Sequence, residues 1–129
     1  MPWTYHQSSG QLIAPDDRQI EVGYSGHEEG KNNPSMQDHK SIGPCPRGWY
    51  TMETIADEHG TPVDYEHKKA PVIRLIPDAE NEMFGRAGFL IHGDSVHDPG
   101  TASLGCLIFP RWVRIVMSQS PDNRLAVTL

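Results

Sequence analysis

Apolar and polar positions along this chain alternate in short runs rather than in helical periods. In WTYHQ, Trp3, Tyr5 and Gln7 fall on one face of an extended segment. SSG then turns the chain into QLIA, and PDD turns it into RQIEVGY, where Ile20, Val22 and Tyr24 share a face. That pattern predicts an antiparallel meander. From Ser25 to Pro46 the residues are Gly, Asn, Pro and charge with almost no periodicity, as in a long loop of functional or disordered type. Strand-like runs resume at GWYTMETI and APVIRLIP, with the polar stretch ADEHGTPVDYEHKK between them, and Tyr24 and Trp49 read as core aromatics. The run AGFLIH ends on His92, with Leu90 and His92 on one face and Phe89 and Ile91 on the other. After Cys106 comes LIF. PRWVRIVMSQSP has helical spacing: Pro110 suits a first turn, and Trp112, Ile115 and Val116 form an apolar stripe. RLAVTL, with Leu125, Val127 and Leu129 alternating, closes the chain as a strand. The expected fold is mainly β with one useful helix.

Length and composition narrow the picture. The 129 residues suit a single domain, 1–129, able to bury a core without staples, and Gly and Pro together, 12 and 11 residues, favour many turns. Acidic residues outnumber basic ones, 17 to 11, with no basic stripe, so a nucleic-acid partner is not expected. Apolar runs such as GFLI and RIVM fall far short of the roughly 20 residues that span a bilayer. The N-terminus MPWTYHQSSG lacks the basic and apolar regions of a secretory signal, so synthesis in the cytoplasm without a leader is expected. Two cysteines, Cys45 and Cys106, permit one disulfide at most and form no CxxC pair. Cys45, between two prolines, reads as a packed residue.

The chemistry gathers in HGDSVHDPGTASLGCLIF, residues 92–109. A thiol is a poor nucleophile while protonated, and a neighbouring imidazole raises its thiolate share. His92 at a strand end and Cys106 after a tight turn meet if two adjacent antiparallel strands carry them. Gly105 would leave room for substrate backbone, the Cys106 amide would stabilise an oxyanion, and Ser103 would orient the imidazole or donate to substrate. Asp94 and Asp98 read as turn formers, and His97 as part of a mobile loop tip. In GHEEGKNNPSMQ, Asn32 and Asn33 offer carboxamides that could bond a peptide backbone and wall a substrate groove.

The order His-Gly, loop, Ser-x-Gly-Cys and then Leu-Ile resembles the signature of L,D-transpeptidases, cysteine enzymes acting on peptidoglycan stem peptides. WTYHQSSGQL, GYSGHEEGKNNPSMQ, IGPCPRGWYTM and FLIHGDS extend the likeness over nearly the whole chain, to the short type VI secretion L,D-transpeptidase effectors, antibacterial toxins delivered into a neighbour's periplasm. The resemblance implies a β-sandwich or barrel with one or two short helices. It implies Cys106 as nucleophile and His92 as base, with Gly93, Ser103 and Gly105 as motif positions. It also implies stem peptides as substrate, an immunity protein and secretion-machine components as partners, and no cofactor. Two departures stand out. Leu104 occupies a position where many L,D-transpeptidases carry histidine, and no arginine follows Cys106 closely. A substrate-carboxylate contact would fall to Arg111 or Arg86.

Two other classes compete. A zinc protein would use His92, His97, Cys106 and Asp98, although no tight ligand pair anchors such a site. A non-catalytic cell-wall-binding module would keep the fold with an ordinary thiol. A papain-like hydrolase has its cysteine before its histidine, the reverse of this order.

Overall fold

The computed structural model describes all 129 residues. Its strands are β1 (Trp3–His6), β2 (Gln11–Ile13), β3 (Gln19–Val22), β4 (Tyr24–Ser25), β5 (Gly48–Thr54), β6 (Ile73–Pro77), β7 (Leu90–His92), β8 (Leu107–Ile108) and β9 (Arg124–Thr128). One helix, α1 (Arg111–Ser118), lies between β8 and β9. The strands form a single sheet in the order β3-β2-β1-β9-β5-β6-β7-β8-β4. Its two margins, β3 and β4, are consecutive in the chain and separated only by Gly23, so the peptide itself joins them. The sheet is therefore a nearly closed barrel, mainly β with one helix, as the alternation predicts.

Period-two patterning is the main reason these strands form. Trp3, Tyr5 and Gln7 are all buried, and so are Leu125 and Val127, which come alongside through the parallel pairing of β1 with β9. Tyr5 meets Phe109 edge to face, with ring centroids 5.9 Å apart. The meander β1-β2-β3 is antiparallel, as expected. The run RQIEVGY, however, is not one strand. A Cβ at Gly23 would lie 2.7 Å from the Phe109 ring, so a glycine lets the chain cross from one sheet margin to the other. Val22 is consequently exposed, and Tyr24 turns toward the loop after β7 instead of the core.

Helix α1 presents a different face from the stripe that its spacing suggests. Val113 and Met117 enter the core with Phe109, whereas Trp112 and Val116 are 50% and 45% exposed. Arg114 fixes this rotation: buried on the same side, its guanidinium donates to the carbonyls of Pro71, Phe109 and Lys69. Turning Trp112 inward would carry Arg114 away from those acceptors. Trp49 is likewise outside the core and packs beneath Arg124, which forks onto Asp78 at 2.8 and 2.6 Å. Leu129 is exposed, while Leu125 and Val127 point in.

The long segment from Ser25 to Pro46 has two one-turn 3-10 helices, Glu28–Gly30 and Pro34–Met36. Hydrogen bonds order it in place of periodicity. Gln7 donates to the Cys45 carbonyl, the Cys45 amide donates to Ser25 Oγ, and Arg86 gathers the carbonyls of Gln37, Gly43 and Pro44. No helix is long and apolar enough to cross a membrane.

Candidate active site

His92 ends β7 and Cys106 directly precedes β8, its neighbour in the sheet, but those strands are parallel, not antiparallel. The register sets Ile91 beside Leu107 and His92 beside Ile108. Residues 93–106 form the crossover of about a dozen residues or more that a parallel pair needs, where a hairpin would have reversed the chain. His92 and Cys106 thus flank this crossover at its two ends. Both line a cleft of about 640 Å³.

Each of these two side chains has a defined environment. His92 is 5% exposed, and its Nδ1 lies 2.8 Å from the Gly93 carbonyl. A carbonyl only accepts, so Nδ1 carries the proton and Nε2 has a free lone pair. Burial holds the imidazole pKa below its ordinary value; the Gly93 bond opposes this, and the Lys68 and Arg114 charges add to it. Burial also pushes the Cys106 thiol up, against the Leu90 hydrogen bond and the Lys68 and Arg86 charges. Resting thiol and resting imidazole are thus both neutral at pH 7. Burial thus works against the thiolate enrichment expected at Cys106.

The turn before Cys106 is locked from within. Ser103 Oγ donates to the Cys106 carbonyl at 2.6 Å and accepts from the Gly26 and Gly105 amides at 2.9 and 3.0 Å. That hydroxyl is fully occupied and shapes the loop, with no bond to the imidazole. Gly105 has φ +139°, and a Cβ there would lie 2.6 Å from Arg86 Nη2 and 2.8 Å from the Phe89 ring. Packing against these side chains, as well as room for a ligand, requires the glycine. The Gly93 carbonyl fixes the imidazole, and a Cβ at Gly93 would lie 3.0 Å from Arg114 Nη1.

The other sequence candidates lie elsewhere. Asn32 Oδ1 accepts from the Ser25 amide, and Asn33 caps the 3-10 turn through Ser35; neither lines the cleft. Arg111 borders a separate, smaller hollow beside α1. Arg86 does line the cleft, but its guanidinium is 5% exposed and holds four carbonyls, of Gln37, Gly43, Pro44 and Leu104. Asp94 is the turn former expected, accepting from the Ser95 and Gly100 amides. It also takes the Tyr24 hydroxyl at 2.6 Å, so Tyr24 ties the 94–102 loop to β4. Cys45 is fully buried and free, its thiol pushed up to about 12 by burial, and Cys106 is free as well. No three His, Cys, Asp or Glu side chains converge as a metal-ligand set. Sequence reasoning missed Lys68, whose signal is hidden in a polar stretch that reads as a connector.

No curated protein and no solved structure matches the chain. A family model described as the Tlde1 domain matches residues 19–127, a span that runs from β3 into β9 and contains every residue of the cleft. With almost the whole chain matched, the protein belongs to the Tlde1-domain family, the type VI secretion L,D-transpeptidase effectors.

Proposed function

We propose that residues 1–129 form one catalytic unit, a peptidoglycan-directed cysteine acyltransferase that removes or exchanges the terminal D-alanine of tetrapeptide stems in the periplasm of a target bacterium. The observation that supports this reading is that His92, at the end of β7, and Cys106, directly before the neighbouring β8, line the same cleft. His92 Nε2 is the free lone pair that takes the thiol proton as the sulfur attacks the carbonyl preceding D-alanine. The Gly105 amide already donates to Ser103, so the Cys106 amide is the oxyanion donor in this reading. Collapse of the tetrahedral adduct breaks the C–N bond, and the imidazolium returns its proton to the leaving amine. The thioester then passes to water, which releases a tripeptide, or to a D-amino acid, which gives exchange. Either outcome consumes the donor stems on which cross-linking depends, as suits an antibacterial effector. An immunity protein in the producing cell and parts of the secretion machine are the partners this role requires.

The test is D-alanine release from disaccharide-tetrapeptide, followed by mass spectrometry, beside expression with and without export to the periplasm of a Gram-negative host. Release and toxicity confined to the exported protein, both lost in Cys106→Ala, support the reading. Full activity in Cys106→Ala overturns it.

A further inference from the structure

The cleft is cationic in a protein of net charge −6. Lys40, Lys68, Arg74 and Arg86 line it, against Glu66 as the one acidic residue. These cations are not equivalent. Arg86 is committed to four backbone carbonyls. Arg74 pairs with Glu53 at 3.2 Å and packs over the Tyr65 ring. Lys40 is exposed. Lys68 differs from all three. Reciprocal backbone hydrogen bonds with Tyr65, of 3.0 and 2.9 Å, hold it at the base of a tight turn. Its side chain is 28% exposed, and its partner Glu66 is at a loose 3.4 Å with a side chain 61% exposed. It is also the one charged residue whose field acts on both His92 and Cys106.

A peptide that loses its last residue at Cys106 carries a carboxylate close to the reaction. From the scissile carbonyl carbon the chain runs through the leaving nitrogen and one Cα to that group, a separation of about 3–4 Å by standard bond lengths. A cation that reads the carboxylate must therefore stand beside both the sulfur and the imidazole. We propose that Lys68 binds the free C-terminal carboxylate of the departing residue and so makes the enzyme specific for peptides that end one residue beyond the bond attacked. This rests on Cys106 as the nucleophile. The place at which L,D-transpeptidases carry an arginine after the cysteine is filled here by Leu107, Ile108 and Phe109, all buried. Lys68 supplies a cation to the cleft from a different element.

The experiment compares release of the terminal residue from disaccharide-tetrapeptide ending in D-alanine and from the same compound ending in D-alaninamide. Wild type is expected to prefer the free acid about ten- to a hundredfold in kcat/KM, the range of one charge-assisted hydrogen bond. Lys68→Met abolishes that preference by raising KM for the acid, and its effect on the amide is confined to the smaller change that loss of its charge beside His92 and Cys106 brings. Lys68→Arg keeps most of the preference, and Lys68→Glu reverses it. Absence of discrimination by wild type overturns the proposal, as does an equal loss on both substrates in thermally stable Lys68→Met. No release from either substrate by wild type overturns the Cys106 reading and this proposal with it.

Discussion

Burial is the largest influence on the protonation of both His92 and Cys106. At Cys106 desolvation outweighs the opposing influences of the Leu90 backbone and two cations, so the thiol keeps its proton at neutral pH. Iodoacetamide reacts with thiolate, so Cys106 in the free protein is expected to label with a pH midpoint above the ordinary thiol value of about 8.5. Cys45, at about 12, stays silent until the protein is unfolded. Adduct mass against pH checks both statements, and a midpoint below the ordinary value would show an ion pair at rest instead. At His92 the sign runs the other way. Its pKa is lowered, so the imidazole stays neutral, and competent as a base, as pH falls through the ordinary value of about 6.5. The acid limb of D-alanine release is expected below that value, and a limb at or above it would contradict the burial argument. Local motifs, His-Gly and Ser-x-Gly-Cys, are what mark both residues as candidates in the sequence. Their protonation was not, because desolvation depends on what covers them.

At the scale of elements, the turn from Ser103 to Cys106 is the piece that aims the sulfur. One hydroxyl satisfies a carbonyl and two amides, all in the buried strip between β4 and β8. Ser103→Ala leaves those groups unpaired, and a loss of about 1–3 kcal/mol is expected, measured by denaturant unfolding. D-alanine release should fall with it. An unchanged unfolding midpoint would mean that the turn holds itself without the hydroxyl. The sequence marked Ser103 as important and left its role open between substrate and imidazole; only the fold brings Gly26 within bonding distance, 77 positions away in the chain. The parallel pairing of β7 and β8 was hidden for a similar reason. Alternation identifies a strand and its faces, but it carries no information on the direction of the neighbour.

For the whole molecule, closure of the sheet and the seating of α1 decide where the cleft lies. The helix packs Val113 and Met117 into the core and leaves Trp112 in solvent. Met117→Ala is therefore expected to cost about 2–5 kcal/mol, and Trp112→Ala about 1 kcal/mol or less. Thermal or urea unfolding of the two variants ranks them, and the opposite order would return the helix to the orientation that its spacing suggested. What the sequence determined by itself was the β-rich class, most strand positions, the motif residues and the family, because alternation and motif spacing are properties of neighbours in the chain. What only the tertiary structure decided was which margins meet at Gly23, which helix face is buried, the tie of Tyr24 to the 94–102 loop, and the assembly of Arg86 and Lys68 around the cleft. Those outcomes turn on acceptors, charges and packing partners tens of residues distant, and no local pattern encodes them.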